Sequence, residues 1–394
     1  MLWHVFTCEY PPHVGGVSDC ASVTAKALLD DGHTVHVWGP SALGDAPAPH
    51  VPGITLHRDL GRFTIADLRR VGLGLDACGG PGRVLVHWVP HGYGRRSLNV
   101  PLAGWLALRG ILRKDRIDLL VHEPCLAWSW RPVPLAAAVV HRAMLWLVAR
   151  GAERVWVSIP AWVPLVRRYV PSHVSVRWLP LPAPLRVIGD AARVAGLRRT
   201  LAPAGERLVG HFSGHSPLIT DLLGPTIEAV LKTDGVRIVL MGRGSAEYLE
   251  GLLARRPDLA GRIQATGAVD ATMVSLHLQA CDVMLHPYPD GVSARRTSVV
   301  AALAHGAAVV TNDGILSEPI WRESLAVELA PGPDPDQLAI RTLALLREPA
   351  RRIALGARAR RLYHQVFDVQ HAIARITERP VRATTPSLEG VAAR

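Results

Sequence analysis

The sequence predicts an α/β protein built from two doubly wound parallel sheets that face a cleft. Three observations carry this. Runs such as "RVLVHWVP" and "DLLVHEP" are apolar almost throughout, the mark of strands covered on both faces. They alternate with helical patterns, as crossover connections between parallel strands require. The alternation breaks at the proline-rich "LPLPAPLRVIGD", around residues 180–190, and restarts beyond it, as expected of a linker. A chain of 394 residues is long enough for two domains with proper cores. They are placed at 1–185 and 186–376, with a weakly patterned 377–394 expected to be a frayed tail.

In order, "LWHVFT" is the first strand. "GGVSDCASVTAKALLDDG" follows as a turn, a helix and a stop at Gly32. "TVHVWGP", "RVLVHWVP", "DLLVHEP" and "RVWVSIP" are the next strands of the first half. "VPLAAAVVHRAMLWLVARG", broken by His141 and Arg142, reads as a buried helix rather than a spanning or membrane-surface one. The second half supplies "RLVGHFSG", "VRIVLMGRG", "RIQATGA", "DVMLHPY", "AAVVTN" and "LAVELAP".

The net charge is +11, and almost all of the basic residues are arginine. Basic residues exceed acidic ones by 19 to 12 up to Leu185 and by 25 to 21 beyond it. Such a balance attracts anions: nucleotide phosphates, lipid headgroups or nucleic acid. Nucleic acid is the poorest fit, because Phe and Tyr are few and the tryptophans scatter, leaving no stacking platform. The five cysteines stand far apart with no C-x-x-C, which disfavours a zinc site or disulfide framework and points to a reducing, cytoplasmic compartment. "MLWHVFTCEYPP" does not have the form of a secretory signal.

In doubly wound sheets, ligands bind beyond the carboxyl ends of the strands, so the residues after each strand are the candidates. "HPYPDGVSARRTSVVAALAHGAAVV" places Asp290, Gly291, Val292 and Ser293 before a helix, with Arg295 and Arg296 expected in its first turn. Helix starts bind phosphate through free N–H groups and the dipole. Two cations there are unfavourable unless a polyanion compensates them or both point to solvent. "HFSGHS" adds Gly214, His215 and Ser216, "LMGRGS" adds Arg243, and "QATGAVD" adds a turn at Gly267 expected to offer free backbone to a base edge.

In the first half, "PPHVGGVSDCAS" sets Gly15 and Gly16 at a strand-to-helix turn, with Ser18 or Asp19 as caps. Neither G-x-G-x-x-G nor a P-loop occurs, which disfavours a nicotinamide site or a P-loop site. His122 and Glu123 end a strand, where a histidine is either hydrogen-bonded structure or catalytic. "HWVPHGYGRRSLN" gathers His91, Tyr93, Arg95, Arg96 and Asn99 as donors for a polar acceptor or as a solvated loop.

The two-domain plan, "YPPHVGGVSD" and "DGVSARRTSVVAALAHGAAVVT" resemble family 4 retaining glycosyltransferases of the GT-B fold, two Rossmann-like domains, over residues 1–370. The resemblance implies a nucleotide diphosphate sugar as donor, no cofactor and no metal. It implies that Gly15 and Gly16 lie against donor and acceptor, that His122 contacts the transferred sugar, and that Gly214 to Ser216 and the helix after Asp290 hold the diphosphate. The acceptor would be a glycan, a lipid-linked sugar or a small molecule; the cationic first half is compatible with an anionic lipid carrier and peripheral contact at the inner membrane face.

The sequence departs from that family's E-G-F-G-x-x-x-x-E-A-x-x-x-G-x-P. Anchoring on "ALAHGAAVV" puts Ser293 and Ala301 where its two glutamates stand; pairing Asp290-Gly291 with the first Glu-Gly needs extra residues before the helix. A divergent transferase and a non-catalytic nucleotide-sugar- or glycan-binding protein are both compatible with this. Asp19 and Glu123 are the remaining carboxylates for a catalytic role. The only D-x-D, Asp334-Pro335-Asp336, reads as a solvated turn.

Overall fold

A computed structural model of the chain describes residues 1–13, 15–41, 51–79, 82–94, 98–113 and 115–378. Arg95, Arg96 and most of the expected tail lie outside them.

The first sheet comprises β1 (Leu2–Phe6), β2 (Thr34–Pro40), β3 (Ile54–Gly61), β4 (Arg83–Trp88), β5 (Arg116–Val121), β6 (Ala152–Val157) and β7 (Ser175–Trp178). The second comprises β8 (Arg207–Phe212), β9 (Val236–Met241), β10 (Ile263–Ala265), β11 (Val283–His286), β12 (Val309–Asn312) and β13 (Glu328–Ala330). Every pairing is parallel. The orders are β3-β2-β1-β4-β5-β6-β7 and β10-β9-β8-β11-β12-β13. Both are Rossmann-like, and each reverses direction once, between β1 and β4 and between β8 and β11. Those two switch points are where such sheets open a crevice.

The central strands are buried along their length, as in β4, where all six residues are inaccessible. Two strands were not anticipated. β3 is a half-exposed edge strand without a continuous apolar run, and β7 is a four-residue edge strand.

Beneath the first sheet, Asp118 is fully buried between Arg83 (2.9 Å) and Arg154 (2.6 Å). Arg154 also donates to the Ile376 carbonyl and the Glu378 carboxylate. The helix Val369–Thr377 therefore packs on the first domain, with Ala372, Ile373 and Ile376 in the same core as Val5 and Leu28. The expected second domain, 186–376, thus includes a last helix that lies against the first. A chain-end helix docked through contacts more than 200 residues away leaves no local sign. The chain thus crosses between domains twice, near residues 179–186 and again beyond Tyr363. Both crossings line one cavity of about 630 Å³ with Ala183, Leu185, Tyr363 and Val369.

The helix Pro132–Gly151 is buried along one face only. Met144, Leu145, Val148 and Ala149 enter the core, while Val133, Val139 and Trp146 are exposed. This corrects the expectation of a buried helix. By length and composition alone its 20 residues are also long and apolar enough to cross a membrane, but the inner face is built into the first domain.

Candidate active site in the inter-domain cleft

A cavity of about 390 Å³ lies between the domains, with walls drawn from both switch points. Its size falls in the usual range for small-ligand sites. On the first-domain side it is lined by Glu9, Gly15, Gly16 and Val17 after β1, by Val89 and His91 after β4, and by His122 and Glu123 after β5. On the other side stand Arg243 after β9 and Arg295, Arg296 and Thr297 after β11. Eight of the residues singled out from sequence thus meet: Gly15, Gly16, His91, His122, Glu123, Arg243, Arg295 and Arg296.

The arginine pair differs from expectation in two ways. The helix runs from Thr297 to Ala304, so Arg296 sits at its cap and Arg295 one residue earlier, ahead of the first turn. The cations are also not uncompensated. Asp290 receives one bond from each guanidinium, and Arg295 reaches across the cleft to Glu123 at 3.3 Å. Arg295 lies over the Trp162 ring and Arg296 over Tyr288. The pair is held in place by a carboxylate and two aromatic faces. Arg243, by contrast, is exposed and makes no ion pair among the described residues.

Gly291 (φ 84°) is packed so closely on the loop at Gly314 and Ser317 that a Cβ would sit 2.4 Å from both. Its role in backbone packing follows directly. Ser293 and Ala301 are fully buried, as is Val292. A carboxylate does reach this turn, from Glu318, which accepts from the Ala294 N–H at 3.0 Å and from the Trp321 indole at 2.5 Å. Burial pushes the Glu318 carboxyl up. No local pattern announces it, since the contact spans 24 residues.

His215 adopts φ 48°, and its Nδ1 lies 3.0 Å from the Ser213 carbonyl, so the ring folds back on its own loop. Ser213 Oγ, unnoticed in sequence, accepts from the His215 N–H and meets His211 Nε2 at 2.7 Å. Ser216 caps the helix Pro217–Val230 without a side-chain bond, and open space surrounds Gly214. The expected free turn at Gly267 is not free: its N–H donates to Ser245 Oγ at 2.9 Å and its carbonyl accepts from Gly242. None of Gly214, His215, Ser216, Gly267, Asp290, Gly291, Val292 or Ser293 lines the cavity itself.

His122 is buried, and its Nε2 lies 3.0 Å from Nδ1 of His87, the rings stacked. Burial lowers its pKa to about 4, so at neutral pH it is an uncharged hydrogen-bonding group, not a proton reservoir. His87 was missed, although it stands next to the end of β4 as His122 stands just past the end of β5. Cys20 joins these two imidazoles within 4.8 Å. The set has the chemistry of a zinc site, but the two imidazoles already hydrogen-bond each other. His4, His36 and Cys78 form a second such group, away from the cleft lining.

Asp19 does not line the cavity. It lies in the first turn of the helix Gly16–Asp30, its carboxyl pushed up to about 6 by burial and by Glu9. Glu9 lies over Gly15, where a Cβ would meet Oε2 at 2.1 Å, so a side chain there would have to displace the Glu9 carboxylate. Glu123 faces both Arg295 and His91, the latter at 3.5 Å.

Residues 209–348 match the family model described as glycosyl transferases group 1. No curated protein matches the chain. Among solved structures, the chain is similar to the sucrose-phosphate synthase of Thermosynechococcus elongatus, at 17% identity and TM-score 0.73, covering 96% of this chain and 97% of that one. It is similar to Anabaena HepE in complex with UDP-glucose, at 17% identity and TM-score 0.68, covering 96% and 98%. It also resembles the trehalose-phosphate synthase of Burkholderia xenovorans in complex with glucose-6-phosphate, at 12% identity and TM-score 0.69, covering 96% and 99%. The fold is therefore GT-B.

Proposed function

We propose that this chain is a glycosyltransferase that moves a sugar from a nucleotide diphosphate sugar to a glycan or lipid-linked acceptor with retention of configuration. The observation that carries the reading is the cleft. It joins the loops of both switch points and sets three arginines opposite His122, Glu123 and the Gly15-Gly16 turn. The match of residues 209–348 supports it, as do the UDP-glucose and sugar phosphate named for the similar structures.

In this reading the diphosphate lies toward Arg243, Arg295 and Arg296, which hold the charge that grows as the anomeric bond breaks. Arginine side chains and a helix end suffice for that task, so no metal is assigned a step. The acceptor hydroxyl attacks on the same face, and its proton passes to a diphosphate oxygen as that oxygen leaves. His122, neutral and fixed by His87, orients the transferred sugar. A double displacement would need a carboxylate at the anomeric carbon. Of the candidates, Asp19 lies off the cavity lining and Glu123 is engaged with Arg295 and His91.

The test is a calorimetric screen of UDP, GDP and ADP sugars, followed by NMR of the product. An α-linked donor should give an α-linked product. A β-linked product would overturn retention, and a trapped glycosyl-enzyme on Asp19 or Glu123 would overturn the same-face route. A second reading, binding without catalysis, is favoured by the burial of Ser293 and Ala301 in the two glutamate positions. Donor binding with no turnover on any acceptor would select it.

His122→Ala should lower turnover by at least about tenfold, the effect of one lost sugar contact of ~1.5 kcal/mol. Nucleotide affinity should stay unchanged. Equal loss of both would show His122 to be a structural partner of His87.

A further inference from the structure

We infer that the segment from Trp128 through the exposed face of the helix Pro132–Gly151 is a docking surface for an anionic lipid bilayer. Trp130 is 102% exposed, Trp128 61% and Val133 81%, a cluster of large apolar groups that a surface in water alone does not favour. Along the helix, Leu135, Val139 and Trp146 continue the exposed stripe at helical spacing. The neighbouring helix Val100–Leu108 is apolar on all sides yet also exposes Val100 and Leu108.

The charge around this stripe commits the partner. Between Glu123 and Glu153 there is no acidic residue, while Arg131 and Arg150 fall at the surface and Arg142 lies buried beneath it. Arg142 lies 3.8 Å from the Trp128 ring centre and Arg150 3.4 Å from that of Trp146. Arg142 is tied to the Leu126 and Ala138 carbonyls, so it holds the Trp128 indole flat against the helix. Indoles and aliphatic side chains interleaved with arginines and free of carboxylates match the headgroup boundary of a negatively charged leaflet. A protein partner would not require that one-sided charge.

The surface also lies next to the cleft. The helix Pro132–Gly151 packs against the turn Pro90–Gly92, whose His91 lines the cleft cavity. A lipid-linked acceptor held in the bilayer would thus present its head at the first-domain wall. This last point rests on the transfer reading above; the surface itself does not.

The experiment is co-sedimentation of the full chain with vesicles of phosphatidylcholine, with and without phosphatidylglycerol, beside nucleotide calorimetry on the same sample. The chain should bind the anionic vesicles, more weakly as salt rises. Trp130→Ala/Val133→Asp, which alters only exposed positions, should weaken binding at least about tenfold and leave nucleotide affinity unchanged. Failure to bind anionic vesicles, or equal binding by the variant, would overturn the proposal. So would a wild-type oligomer in solution that the variant dissolves, since the stripe would then be a protein interface. Vesicle binding without nucleotide binding would keep the surface and sink the transfer reading.

Discussion

Replacing Arg295 and Arg296 together by alanine should weaken nucleotide diphosphate binding by well over tenfold in calorimetry. Each can give a phosphate one or two charge-assisted bonds, worth ~1.5–3 kcal/mol. Both are pre-positioned by Asp290 and by aromatic faces, so little ordering cost opposes binding. Asp290 makes the test sharper. If the arginines serve only to neutralise it, the double variant would lose stability but keep its affinity. Asp290→Asn separates the two cases. It releases both guanidinium groups, so affinity should hold or rise if they are phosphate ligands. A large loss of affinity in Asp290→Asn with none in the double arginine variant would reverse the assignment.

Acid should unfold this protein at a pH where most of its carboxylates are still ionised. Burial holds His4 and His122 at about 4 and His286 at about 3. His87 and His211 are also lowered well below their ordinary value, by burial and by neighbouring imidazoles. Unfolded, each takes a proton near 6.5; folded, each refuses it until far lower pH. Between those limits the unfolded chain binds more protons, so stability is complete above about pH 6.5 and declines as pH falls. Each such histidine contributes about 1.4 kcal/mol per pH unit within its window. For His4, His122 and His286 together that is about 4 kcal/mol per unit, against a typical total of 5–15. Urea unfolding from about pH 7 to pH 5 should show a steep loss. A flat profile there would mean that these imidazoles find water or protons in the fold. Salt-bridged carboxylates such as Glu153, held near 2 by Arg116 and Arg83, act only at lower pH, whereas Asp19, pushed up to about 6, works in the opposite sense within the window and offsets about one of the histidines.

What could be read in the sequence follows from what is local. The six strands of the second sheet each carry an apolar run and a turn signal, and all six were legible. β3 was not, because half of its residues face solvent. The meeting of Gly15, Gly16, His122, Glu123 and the arginines was legible through a single rule, that ligands gather beyond strand carboxyl ends. The partners of those residues were not. Asp290 stood five and six residues before the arginines it pairs with, yet it read as part of a ligand site. Glu318 and His87 reach their neighbours only through the folded chain, and no spacing announces such contacts. The blocked turn at Gly267 has the same origin: Ser245, which occupies its N–H, arrives from another helix.

The double crossing of the chain between domains has a mechanical consequence. A domain tethered by one strand can swivel and twist about it. Two tethers side by side, at 179–186 and beyond Tyr363, remove most of those freedoms and leave one soft coordinate, rotation about the line through both. The cavity between the tethers gives that rotation room, and the opposite rim of the molecule travels furthest. Glu123 and Arg295 sit on facing walls of the cleft that this rotation opens and closes. Their 3.3 Å contact then acts as a latch, and an anion that claims Arg295 releases it while bridging the walls itself. Substrate charge would in this way set the angle of the hinge.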